Sequence, residues 1–332
     1  MANLVAFKGN VCHDLATDFL ALAEKQGTTV PRMIGHRIMG ATLVHTGHFV
    51  ESRTHLDRAF ALYNPVEHRP LATRFSLEAE IAILSYRSQA LWLLGYPDAA
   101  LRDANDAREN ARQTSQAAAL MIALNITSPI YCGNYVAASA QADELIALAD
   151  KKGALFWKAA GMMQRGVVLA LTGKASNAIQ TITAAIAARR SSGSTLGLPW
   201  QLSCLARAYA ELDHWDDARR CIGEALTAAE TTKERCFEAD IHRTAGEIIL
   251  LSPDPDTTKA ETYFDRALAV ARQQQAKSLE LRAATSLARL WRDQGKVQQA
   301  RELLAPVYGW FTEGFDTRDL NEAKALLEEL GT

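Results

Sequence analysis

Apolar side chains at Leu279, Ala283, Leu287 and Trp291 fall four residues apart, which places them on one face of an α-helix. A break at Gly295 follows, and a second apolar stripe runs through Val297, Ala300, Leu304 and Val307. This turn-then-helix pattern recurs along the chain. It is legible at Gly47-His-Phe49 with Ser52, Leu56 and Ala59, at Gly95-Tyr-Pro97 with Ala100, Ala104 and Ala107, and at Gly133-Asn-Tyr135 with Ala138, Ala142 and Leu145. It returns at Gly173 with Ala178, Ile182 and Ala185, at Asp213 with Ala218, Ile222 and Ala225, in degenerate form at Pro255 with Ala260, Phe264 and Ala267, and at Gly295. Seven copies at a period of about 40 residues read as stacked supersecondary units.

The helix before each turn has its own rule. A small residue sits seven positions before the turn (Gly40, Ser88, Gly166, Ala206, Ala288), and a large one four before it (Leu43, Leu91, Leu169, Tyr209, Trp291). The sixth copy obeys with Gly246 if two residues of Ser252-Pro253-Asp254-Pro255 are an insertion; the third breaks the rule with Ile126. Small beside large lets two helices approach closely while the neighbouring gap is filled. Each unit is therefore an antiparallel helix pair that buries its apolar face only by stacking on the next. The expected fold is all-α, a right-handed superhelical solenoid of about seven helix pairs.

Together the glycine turn, the small residues at +5, +9 and +12 and the small residue at −7 resemble the tetratricopeptide repeat family over about residues 30–308. The period exceeds that family's usual 34. Residues Ala276 to Leu330, with Ala90 to Pro97 and Glu234 to Arg243, further resemble the C-terminal region of bacterial proteins in which a class III adenylate/guanylate cyclase domain and an AAA-type ATPase domain precede such an array. The resemblance implies a non-catalytic sensor or interaction arm, with cyclase or ATPase domains among its partners. A chain named as a cyclase but lacking its catalytic domain, and a regulator holding a small molecule between repeats, are the alternatives.

The expected organisation is a partial repeat over 1–29, the array over 30–308 and a capping helix over 309–332. Val11 to Gln26 read as the second helix of a unit whose first helix would lie upstream of Met1, which leaves an apolar helix face uncovered. Thr317 is the N-cap candidate of the last helix, with early acids Asp319 and Glu322.

Thirty-six Lys and Arg against 38 Asp and Glu give a net charge of −2, which argues against a broad nucleic-acid footprint. Five cysteines, none in a Cys-x-x-Cys pair, point to reduced thiols, and with no signal peptide or membrane span the expected location is the cytoplasm. Cys204 and Cys221 are expected as buried small hydrophobes. Glycine loops for phosphate fail at Val168 and Ala175 around Gly173-Lys174, and at Leu290 and Val297 around Gly295-Lys296. His45, His48, His55 and Glu51 lie close in sequence, but a solvated turn is the reading preferred to a metal site. No catalytic, cofactor or metal residue is expected.

Binding is expected on the concave face. The positions that line it in tetratricopeptide arrays correspond here to Arg37, Gln89, Trp92, Tyr131, Trp200, Arg207, Arg243, Glu247, Arg282, Arg289 and Arg292. Aromatic and arginine anchors of this kind suit a protein or peptide partner, an acidic one above all. Against that stand three i,i+4 pairs, Arg207–Glu211, Arg243–Glu247 and Arg289–Asp293, which would only tie down exposed helix faces.

Overall fold

The computed structural model describes residues 6–69, 78–114 and 116–331. Its helices are α1 (Gly9–Gln26), α2 (Thr29–Thr46), α3 (Phe49–Ala61), the short α4 (Pro65–His68), α5 (Ala79–Leu93), α6 (Pro97–Gln113), α7 (Ala117–Leu124), the short α8 (Ser128–Tyr131) and α9 (Tyr135–Lys152). The series continues with α10 (Leu155–Leu171), α11 (Ala175–Ser191), α12 (Leu198–Ala210), α13 (Trp215–Thr232), α14 (Glu238–Leu251), α15 (Thr257–Gln273), α16 (Lys277–Asp293), α17 (Val297–Tyr308) and α18 (Arg318–Glu329). Among the described residues there is no strand, and no helix is long and apolar enough to cross a membrane. The chain is a right-handed helical-repeat solenoid in which α2–α3, α5–α6, α7/α8–α9, α10–α11, α12–α13, α14–α15 and α16–α17 form successive antiparallel pairs.

The small positions act by close approach. A Cβ on Gly40 would come within 2.5 Å of Leu56 Cγ, on Gly166 within 2.5 Å of Ile182 Cγ1, and on Gly246 within 2.6 Å of Phe264 Cε1. Where the residue is serine, its hydroxyl satisfies the partner helix: Ser88 Oγ donates to Ala100 O at 2.6 Å. Gly246 therefore takes the small position despite the Ser252–Pro255 insertion. In the third copy the first helix stops at Leu124 and resumes at Ser128, with Asn125–Thr127 unwound ahead of Pro129, a residue that cannot continue a helix from within. Ser128 compensates, its Oγ lying 2.6 Å from that of Ser88.

At the start of the chain, α1 buries Cys12, Ala16, Leu20 and Ala23 and leaves Val11, Leu15, Phe19 and Leu22 exposed on its outer side. At the other end, α18 buries Leu320, Ala323 and Leu326. Thr317 is its N-cap residue, but the hydroxyl makes no capping bond and instead turns back and donates to Gly314 O at 2.6 Å.

The superhelix closes on itself. Arg235 N–H donates to His45 O at 2.8 Å, Ser278 Oγ donates to Trp92 O, and Arg282 Nη2 donates to Tyr131 O at 3.1 Å. Ala99 N–H donates to Glu313 Oε1 at 3.0 Å, and Gly314 N–H to Asp98 Oδ2 at 3.1 Å. The turns of the first three pairs thus rest on the loops that precede α14, α16 and α18. Gly95 is needed twice over at this seam, since its φ is +92° and a Cβ there would meet Trp310 at 2.5 Å.

Candidate functional site

Closure turns the C-terminal half of the concave face into a cleft. Its walls are the first helices α12, α14 and α16, its rim is the start of α18, and its far side is α8 and Tyr135. The space holds about 880 Å³, part of it open solvent. Five arginines and four carboxylates line it: Arg207, Arg243, Arg282, Arg289 and Arg318 against Asp240, Glu247, Asp319 and Glu322.

These charges form a connected chain of pairs. Arg243 Nε donates to Asp240 Oδ1 at 2.8 Å and Nη1 to Glu247 Oε1. Arg282 Nε donates to Asp319 Oδ2 at 2.7 Å, Arg289 Nη2 to Glu322 Oε2 at 2.8 Å, and Arg318 Nε to the other oxygen of Glu322. Arg318 Nη1 also donates to Tyr135 Oη across the seam at 2.7 Å. Arg207 is the exception: it lies 3.5 Å from Glu211 and 3.8 Å from Glu247, beyond good hydrogen-bond length. Burial opposes ionisation of Asp240 and Glu247, yet their neighbours together outweigh it, Arg243, Arg282 and Arg207 at Asp240 and Arg243, Arg207 and the Ser286 hydroxyl at Glu247, and hold both carboxyls below their usual range. Burial likewise works against the charge on Arg243, and the two carboxylates overcome it.

An aromatic floor backs the strip. The Tyr131 ring lies 4.5 Å from Trp92, 5.8 Å from Trp200 and 5.3 Å from Phe237, and Trp200 stacks on Phe237 at 5.5 Å. The Arg282 guanidinium sits 4.8 Å over the Trp92 ring. Cys204 also faces the cleft, half-buried, and burial pushes its thiol up to about 12, so it is no nucleophile at neutral pH. Cys221 is buried. A second, more apolar hollow, with Ala210, Ile248, Leu250 and Leu251 in its wall, shares Arg207, Glu247 and Arg289 with the first.

Of the eleven positions expected on the concave face, Tyr131, Trp200, Arg207, Arg243, Glu247, Arg282 and Arg289 come together here. Trp92 is buried behind Tyr131. Gln89 reaches the seam and donates to Cys236 Sγ at 3.3 Å. Arg37 lies in the N-terminal half, and Arg292 sits outside the cleft, paired to Asp293 and Glu329. Two of the three i,i+4 pairs form, but Arg289 turns to Glu322 of α18 and leaves Asp293 to Arg292, because the neighbouring helix offers a better-directed carboxylate. Asp240, Arg318, Asp319 and Glu322 were not among the expected site residues: Asp240 holds the same register position as Trp200 and Arg282 but was passed over beside the insertion at Ser252–Pro255, and α18 lies outside the repeat.

The histidines at the first turn disperse. His48 Nδ1 lies 3.1 Å from Thr46 Oγ1, His55 Nδ1 lies 3.0 Å from His36 Nδ1, and His45 is buried against the seam. Among the described residues no three His, Cys, Asp or Glu side chains are grouped to hold a metal ion.

No protein-family model matches the sequence, and no curated protein matches it. Solved structures do. The crystal structure of a Rap protein complexed with Competence and Sporulation Factor aligns over 95% of this chain and 81% of its own, with a TM-score of 0.63 and 13% identity. The apo form of RapI aligns over 90% of this chain and 99% of its own, with a TM-score of 0.50 and 15% identity. The likeness is one of fold. It extends over nine-tenths or more of this chain and shows a shared helical-repeat fold.

Proposed function

We propose that the chain is a non-catalytic regulatory module that captures a short charged segment of a protein or peptide partner in its C-terminal concave cleft. The observation that carries this is the ladder of arginine–carboxylate pairs, which runs across α12, α14, α16 and α18 over an aromatic floor. Each guanidinium is already oriented, so an incoming carboxylate exchanges with Asp319, Glu322 or Glu247 rather than ordering a free side chain. Arg207, with the loosest pairing, is the first to engage. That one likened structure holds a bound factor supports the reading of the concave face as a receptor surface.

The test is binding of fluorescent acidic peptides, such as Glu/Phe-containing hexamers, to the full chain by anisotropy. Binding is expected to weaken several-fold as salt rises and to fall again in Arg207→Ala, with helical content unchanged. Salt-independent capture indifferent to Arg207 sinks the proposal. A small amphiphilic acid in the same cleft is the second reading, favoured by the adjoining apolar hollow beside Arg207; such a ligand would compete with the peptides. The resemblance of Ala276 to Leu330 extends the proposal to service of cyclase and ATPase domains in the cytoplasm, checked by the effect of added chain on such activities.

A further inference from the structure

The N-terminal half of the concave side is electrostatically the opposite of the cleft. Arg37 on α2 makes no hydrogen bond and no ion pair among the described residues, and its Nε is enclosed without a partner. The group that acts on its charge is a phenol, Tyr86 of α5, rather than a carboxylate. The Tyr86 ring stands edge-on to His45 at 6.0 Å, and both ring nitrogens of His45 are buried and unpartnered. Beyond His45 lie Glu234, 3.8 Å away, and Arg189, whose Nε is again enclosed and unpartnered. Glu234 spends both its oxygens on the Gly197 N–H. Arg189 therefore faces a carboxylate that is already engaged, and Arg37 faces none among the described residues.

Burial lowers the pKa of Arg37, but a guanidinium does not give up its proton inside a protein. The guanidinium has five donors, and the described chain offers them no acceptor. We propose that Arg37, with Tyr86 beside it, is the anchor of an anion-binding site for a carboxylate or phosphate group, separate from the cleft and built into the face that α2 and α5 turn toward the loop before α14. The side chain is half-buried, so an anion reaches it from the superhelix interior without unfolding either helix. Arg189 adds a favourable field, and His45 is held neutral by burial and by Arg189, so it presents no competing charge.

The experiment uses the full chain and thermal unfolding in chloride buffer, with inorganic phosphate or acetate added at constant ionic strength. Wild type is expected to gain about 2–4 °C at saturation with at least one of the two ions. Phosphate alone or acetate alone identifies which group the site takes; both together support a site open to either. Arg37→Met is expected to melt no lower than wild type in chloride, because it removes an unpaired charge, and to lose the response. Arg37→Lys should keep part of it. Arg219→Met, at an exposed arginine of α13 outside both sites, should respond as wild type does. The site is overturned if neither ion shifts wild type, if Arg37→Met responds as fully as wild type, or if Arg37→Met melts clearly lower in chloride.

Discussion

Gly166 shows how far one position constrains the array, because a Cβ there already meets Ile182 Cγ1 at 2.5 Å. Gly166→Leu should lower stability by about 1–3 kcal/mol or more, read from urea unfolding; an unchanged midpoint would overturn the repeat register. Glu234 makes a pH-dependent case. Burial pushes its carboxyl up to about 7, although Gly197 and Arg189 pull the other way. Since the unfolded carboxyl titrates near 4.5, the folded chain keeps a proton that the unfolded chain has released. That contribution is whole below pH 4.5 and disappears as pH rises through 7. His45, depressed from 6.5 to about 4, loses its own share as pH falls between those two values, and that loss is common to wild type and variant. Glu234→Gln should therefore gain on wild type by about 2 kcal/mol between pH 5 and 8, measured by parallel melts; a pH-independent difference would refute it. Gly166 was legible in the sequence because its partner Ile182 lies on the second helix of the same pair. Glu234 was not, since its surroundings come from positions 45, 189 and 197, which no local spacing connects.

Helix α18 is more than a lid on the last pair. Its first turn delivers Arg318, Asp319 and Glu322 to the cleft, while Leu320, Ala323 and Leu326 bury against α16 and its neighbours. The two arginines that receive it differ in kind. Arg282 is 19% exposed and holds Asp319, the Tyr131 carbonyl and the Trp92 face together, whereas Arg289 is 40% exposed and holds Glu322 alone. Arg282→Ala should cost about 2–4 kcal/mol by stranding a half-buried carboxylate and a carbonyl, and Arg289→Ala under about 1 kcal/mol. Equal losses in chemical denaturation would mean that the seam contacts of Arg282 contribute nothing. The sequence announced α18 by its apolar spacing and early acids. It placed the N-cap rightly at Thr317 but not the hydroxyl, which finds Gly314 O, and it missed that those acids answer arginines on α16 rather than a helix dipole.

Across the whole molecule, seven pairs and their order were readable from the period, but the curvature that brings the first three turns onto the last loops was not. Pitch depends on packing angles summed over many pairs, and only its result, such as Gly95 against Trp310, reveals it. An open array unfolds repeat by repeat, while a closed one couples its ends. Tryptophan fluorescence and far-UV circular dichroism should therefore report one coincident urea transition, and Asp98→Ala with Glu313→Ala, which removes two seam acceptors, should separate them. The seam also has a kinetic meaning. It joins residues 186, 214 and 216 positions apart, whereas each helix pair closes over a few dozen. Local pairs can form quickly, but closure must gather about two-thirds of the chain before its contacts are made, so it belongs on the native side of the folding barrier. Seam substitutions should steepen neither arm of a chevron plot: they should raise the unfolding rate and leave the folding rate nearly untouched, so that the ring opens sooner without being slower to assemble.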